Sequence, residues 1–155
     1  MTAIPEIEQS LVDDFALLEN WEERYDYLIE LGQNLPPMDP KLKIDNNKVH
    51  GCQSNVWFAI SCQDEHISFQ ADSDSLIIKG IVAILQKLLS GQPAKAVENA
   101  DLTIFNTLGL WKHLSSQRSN GVTAMLSHLK AAAILCQEGA ANLSSQESGV
   151  GACSG

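Results

Sequence analysis

Several things are missing from this chain. No apolar run approaches the roughly 20 residues that a membrane span requires. The four cysteines, Cys52, Cys62, Cys136 and Cys153, are scattered with no Cys-x-x-Cys pair, a spacing that fits neither a zinc site nor a thioredoxin-type motif. Basic residues are few: 10 Lys and Arg against 19 Asp and Glu give a formal net charge of -9. A phosphate backbone would be repelled, so a nucleic-acid partner is not expected. The segment Met1 to Ser10 carries no basic residue, so it does not read as a secretory signal. The expected location is cytoplasmic, and in a reducing compartment the cysteines should remain thiols.

What is present suffices for a single domain. The 155 residues are 45% hydrophobic, enough to bury a core without staples. Ile7, Leu11, Phe15 and Leu18 recur at helical steps and predict a helix over 7–18. Asn20 is placed to cap a second helix, with Glu22 and Glu23 in its first turn and an apolar stripe of Trp21, Tyr25, Leu28 and Ile29. Gly32 should weaken its end and Pro36-Pro37 stop it. The two helices read as an antiparallel hairpin.

Past the surface connection 38–47, two apolar segments, Val56 to Ser61 and Ile67 to Ala71, flank a short polar loop and predict a β-hairpin. Lys48 to His50 is the candidate third strand. Asp72 to Ser75 is dense in capping residues and precedes the apolar run from Leu76 to Leu85, read as a buried helix. Short helices are expected over 93–99 and 102–108. Ser115 to Gly121 reads as a polar connection, and Val122 to Cys136 as the last long helix. This is an α+β arrangement, a small antiparallel sheet covered by helices. The domain is expected over 1–138. Residues 139–155 have too little apolar surface to fold and read as a flexible tail that includes Cys153.

The chain is organised around Val49-His50-Gly51-Cys52-Gln53-Ser54-Asn55-Val56-Trp57. Gly51 permits a tight turn that presents Cys52, while Gln53, Ser54 and Asn55 supply local donors and acceptors. The residues leave two readings open, a presented reactive thiol or a buried core cysteine.

Four stretches in order carry a resemblance: Asn20-Trp21-Glu22-Glu23-Arg24-Tyr25 with Ile29-Glu30-Leu31-Gly32; Val49-x-Gly51-Cys52-Gln53-Ser54-x-Val56-Trp57; Ala71-Asp72-Ser73-Asp74 with Ile78-Lys79-Gly80; and Arg118-Ser119-x-Gly121. Up to about Leu135 the chain resembles the SufE/CsdE family of sulfur acceptors, which work with cysteine desulfurases in iron-sulfur cluster assembly. The resemblance implies a three-stranded antiparallel sheet with helices on one side, similar to the IscU-type scaffold. It implies that Cys52 takes persulfide sulfur from a PLP-dependent desulfurase of the SufS/CsdA kind, stimulates it, and delivers the sulfur to a SufBCD-like scaffold. The PLP belongs to the partner; no cofactor or metal is expected on this chain. The tail departs from the family pattern, and nothing carries over to it.

Around Cys52 the supporting residues are open to two readings each. His50 either activates the thiol or is a structural surface histidine. Arg118 either approaches the site or binds carbonyls and solvent. Val49, Val56 and Trp57 either line an apolar recess that shelters a persulfide or are plain core. Asp72 and Asp74 are helix caps or docking residues. Rival functions are a cluster or zinc scaffold using Cys52, Cys62 and a histidine, a peroxide-reducing or redox-sensing cysteine enzyme, and a plain interaction domain.

Overall fold

The computed structural model describes residues 3–52, 54–101 and 103–139. Helix α1 spans Ile4–Ala16, starting earlier than the apolar spacing suggests because Pro5 is accepted in a first helical turn. Helix α2 spans Trp21–Gln33, and the Asn20 side chain accepts from the Glu23 backbone N–H at 2.9 Å, as expected of a cap. The two helices meet where the Phe15 and Tyr27 rings cross edge-on at 5.3 Å and the Tyr27 hydroxyl donates to Asp14 at 3.0 Å.

Strands β1 (Val56–Gln63) and β2 (His66–Ser73) form the expected hairpin. Its turn is tighter than predicted: Asp64 and Glu65 alone make it, with φ of 54° and 60°, the geometry that matches strand twist. The register pairs Val56 with Ser73 and Cys62 with Ile67. Val56, Phe58 and Ile60 thus share one buried face with Ala71, Phe69 and Ile67.

A third strand completes the antiparallel sheet, but not the expected one. It is β3, Gln92–Pro93, on the far side of β2. Lys48 contributes only an isolated bridge to Trp57, and Val49 one backbone bond to Val56, since the chain then turns away at Gly51.

Helix α3 (Leu76–Leu89) is capped by Ser75, whose hydroxyl accepts from the Ile78 N–H, so neither Asp72 nor Asp74 is the cap. Helix α3 packs so closely on α2 that a Cβ at Gly80 would stand 2.2 Å from the Leu28 carbonyl oxygen, and one at Gly32 would lie 2.9 Å from the Gly80 nitrogen. Gly32 therefore does not weaken the end of α2; it lies within the helix and permits the contact. Short helices α4 (Ala94–Glu98) and α5 (Thr103–Thr107) follow.

Helix α6 spans Ser116–Gln137 and takes in most of the stretch read from sequence as a polar connection. Ser115 caps it, accepting from the Arg118 N–H at 3.2 Å. The first turns are polar because they border solvent and the site, not because the chain is irregular. The helix runs beside the hairpin, touching it near Cys52 at Gly121, at Phe58 through His128 (ring centroids 6.1 Å apart), and at Cys62 through Cys136.

The expectation that Cys62 and Cys136 remain thiols is overturned. They form a disulfide, with Cα atoms 5.7 Å apart, because the register turns Cys62 toward the core side where α6 carries Cys136. The expected tail over 139–155, with Cys153, lies outside the described residues from 140 onward.

Candidate functional site

Gly51 turns the chain with φ +97°, which favours glycine, and a Cβ there would come 3.1 Å from the Ala124 Cβ of α6. The turn lays Cys52 against the N-terminal half of α6. Its thiol donates to the Gly121 carbonyl, Sγ···O 3.5 Å. A Cβ at Gly121 would already be 3.4 Å from that sulfur, so the glycine leaves room for the thiol to lie on the helix. Cys52 is the free cysteine among the described residues, and it is half-buried. Burial pushes the thiol up from an ordinary value near 9 to about 11. The two readings of Cys52 thus meet in one arrangement: the thiol sits at a loop edge but rests covered.

The far side of the loop is held by Asp74. Its carboxylate accepts from the Asn55 backbone N–H at 3.1 Å and from the Asn55 side-chain amide at 2.8 Å, while the Asp74 N–H donates to the Asn55 carbonyl at 3.2 Å. Asp74, expected as a cap or docking residue, is a clasp on the cysteine loop. Asp72 is buried and ion-paired with Lys43 and Lys79. Burial acts to raise its pKa, but the two ammonium groups and the Ser73 N–H outweigh that and hold the carboxyl below the usual range.

A cleft of about 350 Å³ opens beside the sulfur, lined by Cys52, Ser54, Ile78, Ser115, Arg118, Gly121 and Met125. The recess therefore exists with a different lining from the expected one. Val49 and Val56 are core, and Trp57, on the opposite face of β1, lies under the Lys43 ammonium at 5.7 Å. Arg118 does approach the site: the first turn of α6 brings it to the cleft wall, with its side chain exposed. His50 is exposed. Gln53 lies outside the described residues.

Residues 9–133 match the SufE family, described as an Fe-S metabolism associated domain. The chain belongs to the SufE family. An uncharacterized SufE-like protein of Rhizobium meliloti is 42% identical over 138 residues, covering 86% of this chain and 96% of that one. Another from Rhizobium etli is 41% identical over 125 residues, covering 77% and 84%. The solution structure of a hypothetical protein from Thermus thermophilus shares the fold at a TM-score of 0.72 and 21% identity, over 88% of this chain and 99% of that one.

Sequence reasoning missed part of the cleft in this SufE-family chain. Met125 read only as an apolar position of the last helix, and Ile78 as part of a buried helix and of one resembling stretch, yet both reach the cleft. His128, outside the cleft lining, drew no notice: its ring packs against Phe58, its Nε2 is buried without a partner, and burial and then the nearby His50 lower its pKa. The signal was its spacing, seven residues after Gly121 and so on the same face of the helix.

Proposed function

We propose that this SufE-family chain is a sulfur carrier that accepts persulfide sulfur on Cys52 from a PLP-dependent cysteine desulfurase, stimulates that enzyme by clearing its product, and passes the sulfur on for iron-sulfur cluster assembly. The observation that carries this reading is the seat of Cys52: a free thiol, covered and hydrogen-bonded to Gly121, beside a cleft large enough for one more sulfur.

The transfer is a thiol–persulfide exchange. The Cys52 thiolate attacks the terminal sulfur of the desulfurase persulfide, the sulfur–sulfur bond on the desulfurase breaks, and its cysteine leaves as thiolate. No outside oxidant is needed, because the sulfane sulfur moves with its oxidation state unchanged. The seat sets the timing. With a pKa near 11 the resting thiol keeps its proton at neutral pH, which guards it against stray electrophiles. Attack requires the sulfur to leave the Gly121 carbonyl and lose the proton, so docking must shift the loop or supply positive charge. Gly51 is the hinge for that movement, and the Asp74–Asn55 clasp limits it to the residues between. Ile78 and Met125 then offer the loaded sulfur an apolar wall, and Ser54, Ser115 and Arg118 offer it donors.

A scaffold holding metal between Cys52 and Cys62 is disfavoured by geometry. Six residue steps along β1, about 20 Å, carry the chain from Val56 to Cys62, and Cys62 is already bonded to Cys136.

The test is intact-mass analysis after incubation with such a desulfurase and free cysteine. The expected result is a reducible gain of one sulfur, about 32 Da, mapping to Cys52. Cys52→Ser should lose both the gain and the stimulation while keeping the fold. A gain that persists in that variant, or none in the wild type, overturns the reading.

A further inference from the structure

Cys62 and Cys136 form a second sulfur centre that the chemistry of Cys52 does not use. The two centres lie at opposite ends of one helix–strand pair. From Gly121, beside Cys52, to Cys136 is fifteen helical residues, about 22 Å, which matches the length of β1 between its two ends. Direct exchange between Cys52 and this disulfide is therefore out of reach.

The pair is lopsided. Cys136 is 2% exposed, whereas Cys62 is only half-buried, next to the exposed Asp64–Glu65 turn. Besides the disulfide, the end of α6 is held by Ala132 and Ala133 in the core, by packing against α4, and by Gln137, which donates to Glu98 at 2.8 Å; Ile134 is 43% exposed and the helix finishes at Gln137. The disulfide is the covalent tie between this end of the helix and the sheet.

We propose that Cys62–Cys136 is a reversible redox clamp that fastens the end of α6 to the sheet and is opened by a dithiol reductant attacking at Cys62. One thiolate of the reductant attacks the Cys62 sulfur and makes a mixed disulfide; Cys136 leaves as thiolate and takes a proton. The second thiol of the reductant then attacks its own linked sulfur and releases Cys62. Two electrons and two protons pass from the dithiol to the clamp, and a small-molecule disulfide such as oxidised glutathione closes it by the reverse steps. Opening loosens the end of α6, where packing against α4 and the Gln137–Glu98 bond remain, and leaves the Gly121 end and the seat of Cys52 in place.

The test uses the full chain, equilibrated in oxidised or reduced glutathione buffers or with dithiothreitol, then alkylated and mapped by peptide. In the oxidised buffer Cys62 and Cys136 should resist labelling and appear as one linked peptide, while Cys52 still reacts. With dithiothreitol both should label, amide exchange over 132–137 should rise by roughly tenfold or more, and Tm should fall by roughly 5–15 °C. Cys62→Ser and Cys136→Ser should have the lower Tm in every buffer. Labelling of Cys62 and Cys136 in the oxidised buffer, a link to Cys153 instead, or an unchanged Tm on reduction would overturn the clamp. Sulfur gain at Cys52, read by mass in separate samples incubated with the desulfurase and free cysteine and without dithiothreitol or glutathione, reports separately on the carrier function.

Discussion

Cys52 rests in contact with a carbonyl oxygen, a neighbour that favours the protonated thiol and opposes the thiolate. Burial is what pushes the thiol up from near 9 to about 11. At neutral pH this leaves roughly a hundredfold less thiolate than a free cysteine carries. The rate of Cys52 alkylation by iodoacetamide in the unbound protein should accordingly keep climbing to an inflection at about pH 11; an inflection near 9 would mean the thiol is not seated. The sign for stability follows. The native state holds this proton more tightly than the unfolded chain does, so stability is full below pH 9 and declines between 9 and about 11. Denaturant titrations of Cys52→Ser should lack that alkaline decline. Gly51 belongs to the same scale. Gly51→Ala combines a positive φ with a 3.1 Å approach to Ala124, and should cost about 1–2 kcal/mol while speeding Cys52 alkylation at pH 7, because the strain is relieved when the loop lifts.

At the scale of elements, α3 crosses α2 with the two backbones nearly in contact at Gly80 and Gly32. A methyl group at Gly80 would meet the Leu28 backbone, which cannot rotate aside. Gly80→Ala should therefore lose about 3 kcal/mol in urea unfolding despite the better helix propensity of alanine. This contact also marks what could be read from sequence. Helices α1, α2 and α3, the hairpin and the cap at Asn20 were legible because apolar spacing and capping chemistry are local. Gly80 and Gly32 were not, since a glycine that thins a helix for a neighbour looks the same in sequence as one that weakens it. The two-residue strand β3 has no periodicity to detect, and its pairing with β2 depends on where α3 ends. The start of α6 was misread because Ser115 to Gly121 is polar on every side; one face is polar for solvent and another for the cleft. Cys52 itself stood out through its loop, but its partner Gly121 is 69 residues away. Pairing Cys62 with Cys136 required the hairpin register, which residue spacing alone does not contain.

At the scale of the molecule, Asp72 joins three parts of the chain. From β2 it reaches Lys43 in the connection that crosses the outer face of the sheet, and Lys79 on α3. Its carboxyl is held below the ordinary range, so its contribution is present above about pH 4 and is lost as pH falls through the lower native value. Asp72→Asn keeps the shape but leaves two ammonium groups without their counter-charge, and should cost about 1–3 kcal/mol at pH 7. The loss should shrink in acid, where the wild type is protonated too; a pH-independent difference would argue against the ion pair.

The dimensions of the cleft also divide molecules into two classes. A space of about 350 Å³ admits a compact organic molecule and excludes any folded domain. An electrophile cut to that size would time how often the Cys52 sulfur leaves its seat, because the covered, protonated thiol reacts slowly until the loop lifts.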